Sequence, residues 1–111
     1  MSDVKRCVFC AVSVAELPGS IPYEDADVFA LMELHPVTPG HLMIIPRLHI
    51  SSLADLPPEL GKKLFSVGQQ AAAALRESTL RCDGINLWLS DGKAAFQDVP
   101  HVHLHVIPRF E

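Results

Sequence analysis

The chain has 111 residues with 13 acidic against 9 basic side chains, a net charge of −4 with histidines neutral, which excludes a broad nucleic-acid-binding surface. Apolar residues make up 49% and charged residues 20% with no run of one sign, so one folded domain over residues 1–111 is expected and a disordered chain is not. No apolar stretch approaches the roughly 18 residues of a membrane-crossing helix, and Met1–Arg6 lacks an apolar run of signal-peptide type, so a cytoplasmic protein with no membrane partner is the expectation.

Cys7-Val8-Phe9-Cys10 is the first feature. Two thiols at this spacing suit half of a zinc site, a redox dithiol, or a pair of free thiols. The redox reading expects a preceding strand, which six mostly polar residues do not supply. A zinc site needs two further ligands from elsewhere in the chain. Three cysteines, an odd number, argue against a disulfide framework, and Cys82 reads as an ordinary small apolar residue. Val8, Phe9 and Val12 predict a short helix, stopped by Pro18-Gly19. Residues 21–24 and 28–34 predict two strands around the acidic turn Asp25-Ala26-Asp27. A proline-rich loop over 35–40 leads into an apolar strand over 41–46, with His49 just beyond it.

Pro57-Pro58-Glu59 opens the one long helix, since proline is tolerated in a first turn. Leu60, Leu64, Val67, Ala71, Ala74 and Leu75 recur at helical steps and form its buried face. Gly61 and Gly68, seven apart, are expected to let that helix approach the sheet closely. Asp83-Gly84 turns into a strand over 85–89, and residues 94–98 form a loop leading to His101-Val102-His103-Leu104-His105-Val106. Side chains alternate between faces of a strand, so His101, His103 and His105 would share one face, neighbours about 6.6 Å apart. Val102, Leu104 and Val106 would fill a core on the other. Such a row fits a metal site or a catalytic site for anionic substrates. The elements sum to an α+β protein: an antiparallel sheet of about five strands, one long helix and one short one.

With these residues assembled, the sequence resembles the histidine triad (HIT) family, in the bacterial branch similar to the Hint group. The markers are Cys7, Cys10, Pro18, Tyr23-Glu24-Asp25, Gly40-His41, Ile45-Pro46-Arg47, His49, Gln97, the three alternating histidines and Ile107-Pro108-Arg109. The resemblance implies a HIT-like fold and a homodimer whose sheets join into one. It also implies hydrolysis or transfer at the α-phosphate of purine nucleotide conjugates, with no nucleic acid polymer as partner. His103 matches the nucleophile, His101 and His105 its flanking histidines, and His41 the fourth histidine of the set. Cys7, Cys10, His49 and His101 match the ligands of a structural Zn2+; with zinc bound there, His101 leaves the chemistry. Phe9, Val12, Leu17, Leu31 and Leu34 match the nucleoside pocket, and Glu33 stands where the family carries Asp for the ribose hydroxyls. Ser90 stands where relatives often carry Asn. His105 and the Gln97–Asp98 loop are expected to stabilise charge on the phosphate.

The usual Gly-Gln-Ser/Thr before the triad is Phe96-Gln97-Asp98 in this chain. A carboxylate facing the leaving group would favour phosphoramidates or aminoacyl-adenylates over diadenosine polyphosphates; the other expectation is that Asp98 points away and caps a turn. Three further readings stand beside the nucleotidyl-histidine hydrolase. One is a diadenosine polyphosphate hydrolase. Another is a metallohydrolase with the three alternating histidines as ligands. The last is a nucleotide-binding or scaffolding protein whose hydrolysis is vestigial.

Overall fold

The computed structural model describes residues 7–111. In chain order it contains α1 (Val8–Ser13), β1 (Tyr23–Glu24), β2 (Val28–Met32), β3 (Leu42–Pro46), α2 (Pro58–Glu77), β4 (Gly84–Trp88) and β5 (Leu104–Arg109). The strands make one sheet in the order β1-β2-β3-β5-β4, every neighbouring pair antiparallel. The α+β class, the five strands, and the one long and one short helix are those the sequence predicts. No helix among the described residues is long and apolar enough to cross a membrane.

β2 and β3 are almost continuously apolar because both of their faces are covered. On one face, Val28, Ala30, Leu42 and Ile44 join Leu64, Val67 and Leu75 of α2. On the other, Phe29, Leu31, Met43 and Ile45 join Cys7, Phe9 and Val12 around α1. β5 divides its side chains the same way: Leu104 and Val106, with Val102 before the strand, pack on the α2 side. Placing all three on the α2 side is what leaves the intervening histidines to the α1 side.

Local chemistry sets the element ends. Asp25 Oδ1 accepts the backbone N–H groups of Asp27 and Val28, closing the acidic turn between β1 and β2, while Oδ2 accepts the Tyr23 hydroxyl at 2.6 Å. The Tyr23 hydroxyl is the first of several partners that hold the Asp25 carboxyl well below the usual carboxylate range. Pro57 and Pro58 start α2 without losing any intrahelical bond, and the Ser78 hydroxyl donates to the Leu75 carbonyl at its end.

Several boundaries differ from expectation. The two strands expected over 21–24 and 28–34 shorten to Tyr23–Glu24 and Val28–Met32. Single turns of 3-10 helix at Leu53–Asp55 and Lys93–Ala95 have no sequence forecast. The histidine run is only partly strand, since β5 begins at Leu104. Upstream of it, Val102 donates to the Ile50 carbonyl at 2.7 Å and His101 to the Val99 carbonyl, so residues 101 and 102 bond to flanking loops and not to a ladder. Of the two helix glycines, only Gly68 marks a close approach. A Cβ there would lie 3.0 Å from Leu104 Cδ2, whereas at Gly61 the nearest atom is Leu56 Cδ2 at an ordinary 3.5 Å.

Candidate functional site

The three histidines diverge in what their nitrogens face. His101 is fully buried, and its Nε2 lies 2.7 Å from the Pro46 carbonyl oxygen. A carbonyl only accepts, so Nε2 carries the proton and donates, leaving Nδ1 with a bare lone pair. That lone pair points into a cluster, with Cys7 Sγ at 3.2 Å, Cys10 Sγ at 3.6 Å and His49 Nδ1 at 3.2 Å. Two imidazole nitrogens face to face beside two thiols make a poor set of mutual hydrogen bonds and a good set of ligands. All four donor atoms lie within 4.8 Å of one another. Two sulfurs and two nitrogens are the composition of a closed structural zinc site, and the Pro46 carbonyl is the outer partner that fixes a ligating imidazole. Burial, then its neighbour Cys7, pushes the Cys10 thiol up to about 11, and burial holds His101 down to about 4. Without a cation in the cluster, this environment resists forming thiolate.

His103 is buried and oriented through its other nitrogen: Nδ1–H donates to the His101 carbonyl oxygen at 2.8 Å. Nε2 is therefore the bare nitrogen. It faces Asp98 Oδ1 at 3.5 Å. Phe9 packs edge-on against the ring at 5.0 Å between centroids.

His105 belongs to a directed chain of hydrogen bonds. The Val37 backbone N–H donates to His41 Nδ1 at 3.1 Å, which places the His41 proton on Nε2. That Nε2–H donates to His105 Nδ1 at 2.8 Å, so the His105 proton sits on Nε2, free to donate. The chain needs neutral imidazoles. Burial supplies them, chiefly by disfavouring charge: it lowers His41 and holds His105 down to about 4. Glu33 lies beside this pair, and Glu33, His41 and His105 together have the donor types of a metal site. The Val37 N–H argues against one, because a metal on His41 Nε2 would force a proton onto Nδ1, donor against donor. The three alternating histidines form no metal cluster among the described residues, which removes the geometry that the metallohydrolase reading requires.

A cleft of about 380 Å³ opens beside His103 on the α1 face. Phe9, Val12, Leu17, Leu31, Glu33 and Leu34 all line it, together with Asp98. Sequence reasoning missed Gly19, Met43 and Val99 as lining residues. Met43 was legible: it lies two residues after His41 on β3 and pairs directly with His105. Trp88 pairs with His105 from the other side and was missed for want of any motif.

The loop before the triad departs from expectation in two ways. Gln97 is not turned to the cleft. Its Oε1 accepts the Gly92 N–H at 2.8 Å, and its Nε2 donates to the Ser51 and Val99 carbonyls at 2.9 and 3.1 Å, pinning the loop. Its own N–H is taken by the Gly92 carbonyl, so it has no donor left for a phosphate. Ser90 is likewise engaged elsewhere, accepting from the Trp88 indole, and is not a lining residue of the cleft. Asp98 does line the cleft: Oδ1 faces His103 while accepting the Val99 N–H at 2.9 Å. Neither expectation describes it fully, since it bonds its own loop and faces the triad at once. Phe96, which stands at the family's glycine position, keeps a left-handed backbone with φ 66°, and its side chain is 88% exposed.

A family model described as HIT domain matches residues 14–111. An uncharacterised HIT-like protein of Mycobacterium tuberculosis is 42% identical over 102 residues, 92% of this chain and 70% of that protein. The adenosine 5′-monophosphoramidase HNT1 of Saccharomyces cerevisiae is 32% identical over 103 residues, 93% of this chain and 62% of that one. Among solved structures, a zinc-bound histidine triad family protein from Mycobacterium smegmatis superimposes with a TM-score of 0.93 at 45% identity, covering 96% of this chain and 76% of the other.

Proposed function

Since this chain belongs to the HIT domain family, we propose that it is a hydrolase of purine nucleotide conjugates that works through a covalent nucleotidyl-His103 intermediate. The observation that carries this is the orientation of His103: Nδ1–H is spent on the His101 carbonyl, which turns Nε2 toward Asp98, and Asp98 and the Phe9 ring beside His103 both line the apolar cleft. A neutral nitrogen suits attack on phosphorus, where an anionic nucleophile would be repelled.

In the proposed sequence, Phe9, Leu31 and Leu34 hold the base and Glu33 the ribose hydroxyls. His103 Nε2 attacks the α-phosphorus as the P–N bond breaks, and the amine departs with that electron pair and a proton taken from solvent. His105 Nε2–H, aligned through His41, donates to a phosphoryl oxygen as charge builds there. Water then attacks the same phosphorus, gives up a proton to solvent and releases the nucleotide, returning the electron pair to Nε2. The Cys7, Cys10, His49 and His101 set holds structural zinc, which the bound metal of the Mycobacterium smegmatis relative supports. His101 therefore takes no step in the reaction and acts through its carbonyl. The activity printed for the yeast relative supports a phosphoramidate or similar P–N conjugate as substrate, and the acidic Asp98 argues against polyphosphate leaving groups. A homodimer joined at β4 is part of the proposal, because among the described residues that edge strand has no partner on its outer side, and it exposes Asn86, Leu87 and Trp88.

Intact mass after brief incubation with adenosine 5′-phosphoramidate and a non-acidic quench tests the intermediate. An AMP-sized increment, absent in His103→Ala, is expected. No increment together with no AMP released would favour the second reading, a nucleotide-binding protein with vestigial hydrolysis. The carboxylate in front of His103 is the observation on that side.

A further inference from the structure

Asp98 Oδ1 sits between a backbone N–H suited to a phosphoryl oxygen and the imidazole nitrogen suited to phosphorus. It accepts the Val99 backbone N–H at 2.9 Å and lies 3.5 Å from the bare Nε2 of His103. In the neutral tautomer that the His101 carbonyl selects, Nε2 carries no proton, and the hydrogen bond that holds the carboxylate is the Val99 N–H. Attack on phosphorus requires the reacting atoms to come within about 3–3.5 Å. A carboxylate oxygen at that range and an incoming phosphoryl group exclude each other.

We propose that the Asp98 carboxylate is a tethered anion that occupies the phosphoryl position of the empty cleft, and that every phosphate-bearing ligand must displace it. The proposal rests on the nucleotide reading given above. Displacement needs only a side-chain rotation. Gln97 pins the loop backbone to Gly92, Ser51 and Val99, while the Asp98 side chain is 78% exposed and has water to turn into. Rotation also frees the Val99 N–H to bind the ligand's phosphate. A nucleoside, lacking the phosphate, fills the apolar end of the cleft without disturbing the carboxylate. Asp98 is thereby a specificity residue that lowers affinity for the phosphate and leaves affinity for the nucleoside alone.

Calorimetric titration of AMP and of adenosine into the full-length protein, Asp98→Ser and Asp98→Asn tests this. Replacing a charge-assisted hydrogen bond should tighten AMP binding by about tenfold or more in Asp98→Ser. The gain should be smaller in Asp98→Asn, which keeps an acceptor for Val99, and adenosine should bind all three alike. The gain should persist at about 0.5 M salt, where through-space repulsion between exposed charges is largely screened. Unchanged AMP affinity in Asp98→Ser overturns the proposal while adenosine binding leaves the nucleoside pocket standing. So does equal tightening of AMP and adenosine, or a gain that salt abolishes. If neither ligand binds any of the three proteins, the nucleotide reading falls and takes this inference with it.

Discussion

Two glycines on one helix face different surroundings, and the same substitution at each should change stability in opposite directions. In Gly68→Ala the new Cβ would meet Leu104 Cδ2 at 3.0 Å, with Leu87 methyls at 3.9 and 4.0 Å. Ordinary carbon contacts lie near 3.5–4.0 Å, so Leu104 must recede by roughly half an ångström. Leu104 is 8% exposed and packed with Val102 and Val106, on the segment that carries His103 and His105 on its other side. Overpacking of this kind costs about 1–3 kcal/mol, against about 1 kcal/mol gained because alanine favours helix over glycine. The net expectation is a loss of about 1 kcal/mol. In Gly61→Ala the only neighbour is Leu56 Cδ2 at 3.5 Å, so the helix preference acts alone and stability rises by about 0.5–1 kcal/mol. Urea denaturation of both variants measures this, with equal slopes required for the comparison. Turnover should fall in Gly68→Ala as the triad strand is displaced and stay level in Gly61→Ala. Equal stabilisation by both substitutions would refute the close packing of α2 on β5.

Other expectations follow from the site. Cys10→Ser should lose zinc on dialysis and lower the melting temperature, with about 4 kcal/mol at stake where free zinc stands a thousandfold above its dissociation constant. Full zinc retention in that variant would remove Cys10 from the ligand set. His41→Ala should cut turnover about 10- to 100-fold with little change in AMP affinity, and His41→Gln, which keeps a donor for His105, should recover part of it; a loss confined to affinity would break the relay. Phe96→Gly should stabilise by about 0.5–1 kcal/mol, since a left-handed residue with an exposed ring gives up strain and little burial. Burial holds His105 neutral down to about 4. Unfolded histidines titrate near 6.5, so between those values the unfolded chain binds more protons. The stability that neutral His105 contributes is present above about pH 6.5 and is lost as pH falls toward 4. A denaturation midpoint that stays flat from about pH 7 to 4.5 would contradict this.

The sheet and its two helices were legible because burial on both faces writes itself into composition. The runs at 28–32 and 42–46 are apolar without alternation, and Leu64, Val67 and Leu75 keep a helical step. The Cys7, Cys10, His49 and His101 set and the cleft lining were reachable through family resemblance alone, since residues 94 positions apart in sequence carry no local signal of meeting. What escaped was governed by the backbone. Nothing in residues 101 and 102 tells that their N–H groups go to loops and not to a ladder. Gln97 matches a family marker, and no sequence rule reveals that both ends of its amide serve the loop. Asp98 was seen as a departure, but which of its oxygens faces which donor depends on rotation about one bond.

His101 serves two sites from one residue. Its ring completes the cysteine–histidine cluster while its carbonyl oxygen sets the proton of His103, the proposed nucleophile two positions on. Oxidation of Cys7 or Cys10 would thus reach the reacting nitrogen through a single peptide unit, without any ligand entering the cleft. The thiols at one end of the chain and the proposed phosphorus chemistry at the other meet at His101. Turnover by this protein should therefore report the redox history of its thiols, and activity measured after storage in air should be compared with activity restored by reductant and zinc together.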